Sequence, residues 1–183
     1  MRRTSLLFLV LVAVGCSSMA MTPSAQSGAM PKDGELAFPS EYKSFPVFLS
    51  GVQKPDAVRD LYVNPIGAKN QPGQAFANGS ILVMEIHNAK KNTEGTFEKG
   101  SDGNLVKADL AKVFVMQKDA GWGKHAPENL KNGDWIYSAF KANGERLDVD
   151  YTACRGCHLP LGESKDFVHR YDEYFEKRMQ AAH

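Results

Sequence analysis

The feature that most constrains this chain is a Cys-x-x-Cys-His motif near its C-terminus, formed by Cys154, Cys157 and His158. Two thiols at that spacing can add to the two vinyl groups of one porphyrin, and the adjacent imidazole then lies under the iron as an axial ligand. The motif therefore predicts a covalently attached haem c, with His158 as the metal ligand.

Other uses of the same spacing fit the chain less well. A short disulfide and a thioredoxin-like redox pair are two alternatives, and the redox pair is expected beside a βαβ pattern. Half of a zinc site is the third, but a structural zinc needs two further ligands at recognisable spacing. The remaining histidines do not supply them, and we expect each to be a surface histidine: His87, His125 and His169.

The N-terminus has the pattern of a secretory signal over residues 1–15, with two arginines followed by an apolar run that is too short to span a bilayer. Small residues then precede Cys16, as in the lipobox of bacterial lipoproteins. Cys16 is also the cysteine left over by the haem motif. We therefore expect a periplasmic protein attached to the outer membrane by a lipid on Cys16. A soluble periplasmic protein, cleaved between Gly15 and Ala20, is the alternative.

Residues 16–34 are small, polar and interrupted by proline and glycine, which predicts a flexible tether before one folded domain at 35–183. The chain has 22 basic and 21 acidic side chains. Near-neutral charge argues against a nucleic-acid partner and against a polybasic membrane patch. The membrane would then be contacted only through the N-terminal lipid.

The periodicity within this domain is mostly that of strands, at residues 60–64, 79–87, 112–118 and 133–140. In the second of these, Leu82, Met84 and Ile86 alternate onto one face. A short helix is predicted within residues 40–49, and a longer one over 165–180 with an apolar stripe of Phe167, Tyr171, Phe175 and Met179. The expected fold is mainly β or α+β: an antiparallel sheet with a few helices, a C-terminal helix, and haem c attached near the C-terminus.

Small electron-transfer cytochromes carry the haem motif early in the chain, whereas here it comes late. Four-helix-bundle cytochromes also carry it late, but the predicted strands argue against a bundle. Over residues 35–175 the chain resembles the cytochrome P460 family, which includes the cytochromes c′-beta. The resemblance rests on the haem motif and on the order of five further segments: Leu36–Tyr42, Val58–Pro65, Phe76–Glu85, Val115–Asp119 and the region from Trp122 to Trp135.

This resemblance implies a homodimer whose haem iron is five-coordinate and open on one face. Family members either oxidise hydroxylamine and nitric oxide or bind gases. The enzymes carry a lysine cross-linked to the porphyrin at the position of Met84, and a pocket carboxylate near the position of Phe114. Arg59 matches the arginine on the distal side, where it could donate to a ligand oxygen or to a haem propionate. Arg59, Met84 and Phe114 are thus the candidate haem-pocket residues.

We expect a cytochrome that binds nitric oxide or a similar small ligand, with one-electron redox change and a periplasmic redox partner. A hydroxylamine- or nitric oxide-oxidising enzyme is the alternative, which Met84 and Phe114 disfavour because they lack the amine and the carboxylate. Plain electron transfer is the second alternative. It requires a six-coordinate iron, for which the chain offers Met84, Met116 and Met179.

Overall fold

Five antiparallel strands form one sheet in which neighbours along the chain are neighbours in space. The structure is a computed structural model that describes residues 30–181. The predicted signal segment, the lipidation site Cys16 and the tether before residue 30 lie outside the described residues. The strands are β1 (Val47–Gln53), β2 (Ala57–Val63), β3 (Ile81–Ala89), β4 (Lys107–Lys118) and β5 (Trp135–Lys141).

Two α-helices follow the sheet, α1 (Tyr151–His158) and α2 (Tyr171–Ala181). Short 3-10 turns occupy several connections: Tyr42–Ser44, Gly67–Lys69, Trp122–His125, Glu128–Leu130, Leu159–Leu161 and Glu163–Lys165. Within residues 30–181, no helix combines the length and the apolar character needed to cross a bilayer. The expected fold class, an antiparallel sheet with few helices and a C-terminal helix, is confirmed.

The alternation on β3 divides the sheet into two faces. Leu82 packs in one buried cluster and Val83 in the other, as a period of two requires. The side shared by Leu82 and Met84 is covered by α1, α2 and the loop between them, and we call it the helix face. The opposite side is covered by residues 36–45, and we call it the N-terminal face.

The core of the helix face is rich in aromatic side chains. Phe48 stacks on Tyr174 with ring centroids 4.0 Å apart, and Trp135 donates its indole N–H to the carbonyl oxygen of Asp166 at 2.9 Å. Other members of this cluster are Phe76, Tyr137, Phe167, Tyr171 and Phe175. Aromatic pairs of this kind fix the position of α2 against the sheet.

The C-terminal helix begins later than its sequence pattern predicts. Asp166, Phe167 and Arg170 have positive φ angles, which no right-handed helix accommodates, so α2 starts at Tyr171 rather than at residue 165. Phe167 therefore reaches the core from a loop. The predicted stripe is also wrong at its far end, because Met179 is exposed.

The prediction of a helix within residues 40–49 holds only for the turn Tyr42–Ser44. Strand β1 begins three residues later, directly after Pro46, whose ring cannot continue a helix. Register shifts between β1 and β2 interrupt the alternation of buried and exposed side chains along β1. The sequence pattern therefore did not indicate a strand here. Contacts of the folded domain begin slightly before the predicted boundary, since Gly34 donates its backbone N–H to Tyr137.

Candidate haem site

Helix α1 carries the whole haem motif. It starts after Asp150, whose carboxylate accepts hydrogen bonds from the backbone N–H and the hydroxyl of Thr152 at 2.9 and 2.6 Å. A helical spacing of three places Cys154 and Cys157 on adjacent turns of one side, and His158 follows. Both cysteines are free thiols, the first half-buried and the second exposed. The motif is therefore presented as a rigid unit.

His158 is held in the protonation state that binds a metal. Its Nδ1 lies 2.6 Å from the carbonyl oxygen of Phe167, which can only accept, so Nδ1 carries the proton and Nε2 has a free lone pair. Burial lowers the pKa of His158 to about 4, which keeps the ring neutral at pH 7. The ring also packs against Tyr137 of β5, with centroids 5.1 Å apart. The positive-φ loop thus serves α1 by supplying the carbonyl group that orients its histidine.

The helix face of the sheet brings the predicted pocket residues together. Met84 pairs directly with Phe114 on β4 and with Leu61 on β2. Arg59 lies in the next row, opposite Ile86. All five side chains are only partly buried within the described residues. The structure therefore places Arg59, Met84 and Phe114 on the same face as the haem motif.

The cytochrome P460 family model matches residues 39–170, which include all five strands and the whole of α1. This chain belongs to the cytochrome P460 family. The search of curated proteins returned no match. Membership makes the protein a haem c cytochrome in the general sense, whereas its place among the cytochromes c′-beta stays a prediction.

The residues of this cytochrome P460 protein fit haem c on chemical grounds. Two free thiols stand at the correct spacing, and a neutral imidazole presents an unprotonated nitrogen. Leu61, Met84 and Phe114 form an apolar row across β2, β3 and β4 on the same face. Arg59 adds a buried Nε that has no hydrogen-bond partner among residues 30–181. A buried donor without a partner is costly, and a propionate or a ligand oxygen is the kind of acceptor that would satisfy it.

Arg155, inside the motif, anchors α1 to the rest of the cytochrome and was not singled out from the sequence. Its side chain is 2% exposed and forms a two-point ion pair with Asp33, with Nε–Oδ2 and Nη2–Oδ1 distances of 2.6 and 3.0 Å. The guanidinium also donates to the carbonyl oxygens of Trp135 and Leu130. One sequence feature could have indicated this role: Arg155 is a charged residue between the two cysteines of the motif, on a helix that must pack against the rest of the protein.

His169 also lies at the site, which the sequence analysis did not predict. It precedes α2, is half-buried, and its ring meets that of His158 edge-to-face with centroids 4.7 Å apart. Its Nε2 lies 3.3 Å from Cys157 Sγ. Burial lowers the pKa of His169, with the positive charges of Lys54 and Arg59 acting in the same direction. The prediction of a surface histidine is therefore wrong here.

The positive charge of Arg59 is close to the same end of α1. Burial lowers the pKa of Arg59, the nearby charge of Arg170 adds to this, and Cys157 and Asp56 oppose it. The guanidinium nevertheless stays charged, as arginine does in proteins. Arg59 and Arg170 therefore form a cationic border beside Cys157, which suits the carboxylate groups of a porphyrin edge.

Proposed function

We propose that this cytochrome attaches haem c through Cys154 and Cys157, ligates the iron with His158, and binds nitric oxide or a similar small diatomic ligand. A haem iron with one protein ligand supplies an open coordination position and a one-electron redox change. The observation that carries the proposal is the apolar row of Leu61, Met84 and Phe114, which lies on the same face as the motif.

The neighbouring carboxylates support ligand binding over hydroxylamine oxidation. Asp60 and Glu85 follow Arg59 and Met84 directly in the sequence, but alternation turns both side chains to the N-terminal face. The row itself offers neither a carboxylate to take a proton nor an amine to bond to the porphyrin. An apolar lining excludes water and favours an uncharged diatomic molecule over a hydrated substrate.

The protein's own residues then have separate roles in this proposal. His158 stays neutral and fixed through its bond to Phe167, so the lone pair of Nε2 remains directed at the metal. Met84 and Phe114 keep water from the ligand side. Arg59 donates either to an oxygen of the bound ligand or to a propionate, which satisfies its unpartnered Nε.

The first test is an absorption spectrum of the purified haem protein, oxidised and dithionite-reduced, before and after addition of nitric oxide. We expect a high-spin ferrous spectrum that shifts when the gas is added. Sharp low-spin bands that ignore the gas would overturn the proposal in favour of electron transfer. A strongly red-shifted ferrous Soret band, with residues 79–90 covalently joined to porphyrin in a mass spectrum, would overturn it in favour of the enzyme.

A matched pair of variants on β4 tests the role of the apolar row. Phe114→Glu places a carboxylate in the row and should weaken nitric oxide binding about tenfold or more, because a charged group draws water into the pocket. Lys112→Glu changes the same strand and face two residues away at an exposed position, and should leave the affinity unchanged. Equal affinities in the two variants would show that Phe114 does not border the ligand.

Cellular location and assembly are further parts of the proposal. The signal pattern and Cys16 support a periplasmic protein with an outer-membrane lipid anchor, and a lipid-modified N-terminal peptide in mass spectrometry would test it. Family resemblance supports a homodimer, which light scattering of the purified protein would test. A periplasmic redox partner would be required for the one-electron change.

A further inference from the structure

A second cluster of ligating side chains lies behind the haem site, on the N-terminal face. Asp60 of β2 pairs directly with Glu85 of β3, and His87 lies two residues further along the same strand. The three are buried, and one ligand atom from each lies within 4.8 Å of the other two. His87 was expected at the surface, and this prediction is wrong because its ring points into this cluster. Nothing in the proposed haem function uses these groups.

Three ligand atoms face one another in the cluster: Nε2 of His87, Oε2 of Glu85 and Oδ2 of Asp60. Its Nδ1 lies 3.2 Å from the carbonyl oxygen of Ala108, so Nδ1 carries a proton. Its Nε2 lies 3.2 Å from Glu85 Oε2 and 3.8 Å from Asp60 Oδ2. A neutral ring would point a lone pair at two carboxylate oxygens, which also only accept. Lys107 already pairs with Asp60 Oδ2, and the hydroxyl of Tyr62 donates to Glu85 Oε2 at 3.2 Å. Among the described residues, the position that Nε2 faces has no such donor, and a metal ion there would meet all three atoms.

The dimensions of the cluster suit a small divalent ion. Zinc bonds of about 2.0–2.2 Å in tetrahedral geometry place neighbouring ligand atoms roughly 3.3–3.6 Å apart. The Nε2–oxygen distances of 3.2 and 3.8 Å lie on either side of that range. One imidazole and two carboxylates are ligands that borderline divalent transition metals accept.

The groups around the cluster hold the carboxylates in a ligating state. Glu85 Oε1 accepts from the hydroxyl of Tyr42 at 2.6 Å and pairs with Lys43. Glu85 Oε2 faces His87 and also accepts from the hydroxyl of Tyr62 at 3.2 Å. Asp60 Oδ1 accepts the backbone N–H of Gly51 at 2.9 Å. Such outer contacts orient metal ligands in known sites.

Lys107 is a competing cation at Asp60, and a pocket beside it gives a metal ion a route to the cluster. The ammonium group of Lys107 pairs with Asp60 Oδ2, the oxygen that faces His87, and the lysine side chain is 45% exposed. A pocket of about 430 Å³ opens beside them, lined by Asp60 and Lys107 and also by Gly51, Val58 and Leu105. An incoming ion can reach Asp60 through this pocket, and the lysine can turn outward into solvent.

We propose that Asp60, Glu85 and His87 form a binding site for a divalent transition-metal ion, reached through this pocket and occupied in competition with the Lys107 ammonium group. The site stands back to back with the haem face, because Asp60 and Glu85 adjoin Arg59 and Met84 on the same strands. It is independent of which ligand the haem binds.

Zinc is the probe for the test. The haem-loaded protein is treated with a chelator, dialysed against micromolar zinc chloride, and its zinc and iron contents are compared by mass spectrometry. We expect one zinc per iron in the natural protein and in His125→Gln, which changes an exposed histidine. His87→Gln should bind none. Absence of zinc from the natural protein would overturn the proposal.

A second variant keeps the test decisive if His87→Gln folds poorly. Lys107→Met removes the competing ammonium group and should tighten zinc binding about fivefold, the value of an exposed-lysine ion pair. A structural role for the cluster predicts no such gain. Unchanged zinc affinity in Lys107→Met, or zinc retained by a folded His87→Gln, would place the metal elsewhere and refute the site.

Discussion

Substitution of Asp33 tests most directly how α1, the helix that carries the haem motif, is anchored to the rest of the fold. Its carboxylate binds Arg155 at two points, with Nε–Oδ2 and Nη2–Oδ1 distances of 2.6 and 3.0 Å, and accepts the backbone N–H of Tyr137 at 3.0 Å. Asp33→Asn keeps the size and the acceptor for Tyr137 but turns an amide towards a buried guanidinium. Arg155 then loses the Nε–Oδ2 hydrogen bond and the compensating negative charge, and retains three neutral acceptors: the amide oxygen of residue 33 and the carbonyl oxygens of Trp135 and Leu130.

The magnitude follows from the burial of the two partners. Removing one member of a buried ion pair costs about 3–5 kcal/mol, because the remaining charge is left without compensation. Arg155 is 2% exposed but Asp33 is 20% exposed, so water recovers part of the loss and about 3 kcal/mol is expected. For a domain of this size that corresponds to a fall in Tm of roughly 6–12 °C.

Thermal and urea unfolding of the haem-loaded protein, followed by circular dichroism, measure this loss. Asp148→Asn is the matched control, since Asp148 is exposed, and its midpoint should not move. In the double variant Asp33→Asn/Arg155→Met, the buried charge is gone and much of the stability should return. A midpoint for Asp33→Asn that equals that of the natural protein, or a double variant that is weaker still, would refute the reasoning.

Three further predictions concern other parts of the fold. Asp166→Ala should lose about 2 kcal/mol more in urea unfolding than Asp166→Asn, although both variants lose the ion pair with Lys118. Only asparagine tolerates φ 47° and keeps an acceptor for the buried N–H of Phe76, and equal losses would contradict this reasoning. The free energy of unfolding should fall as the pH drops from 4.5 towards about 2, because Glu85 takes up a proton in the unfolded state before it does so in the folded state. Glu85→Gln should flatten this dependence of stability on pH, and an unchanged dependence would argue against the role of Glu85. Gly123→Ala should cost about 1–3 kcal/mol, because its Cβ would overlap the carbonyl oxygen of Gly133; an unchanged melt would show that the loop has room.

The strands were predictable wherever alternation was regular. Residues 79–87 were predicted as a strand with Leu82, Met84 and Ile86 on one face, and the structure has β3 at Ile81–Ala89 with that arrangement. Strand β1 was missed because its register shifts against β2 break the period. The start of α2 was missed because backbone angles at Asp166 and Phe167 depend on hydrogen bonds to distant residues, which periodicity does not report.

The haem motif was predictable for a different reason, since its chemistry requires a fixed local spacing. The supporting contacts are not local. Asp33 is 122 residues from Arg155 in the chain, and His169 meets Cys157 only because the loop before α2 folds back over α1. A single sequence carries no signal for such pairs, so anchoring residues emerge only from the fold.

Alternation also explains why nearness in sequence misleads at this site. Arg59 and Asp60 are adjacent, as are Met84 and Glu85, yet each pair is divided between the two faces of the sheet. The carboxylates that follow Arg59 and Met84 are thereby kept off the face that carries the haem motif. One register therefore places Arg59 and Met84 on the helix face and buries the two carboxylates on the N-terminal face. A slip of one residue in this pairing would reverse the faces of one strand against the other, for example by turning Asp60 to the helix face and Arg59 away from it. The pairing register of β2 with β3 therefore determines which side chains the helix face presents.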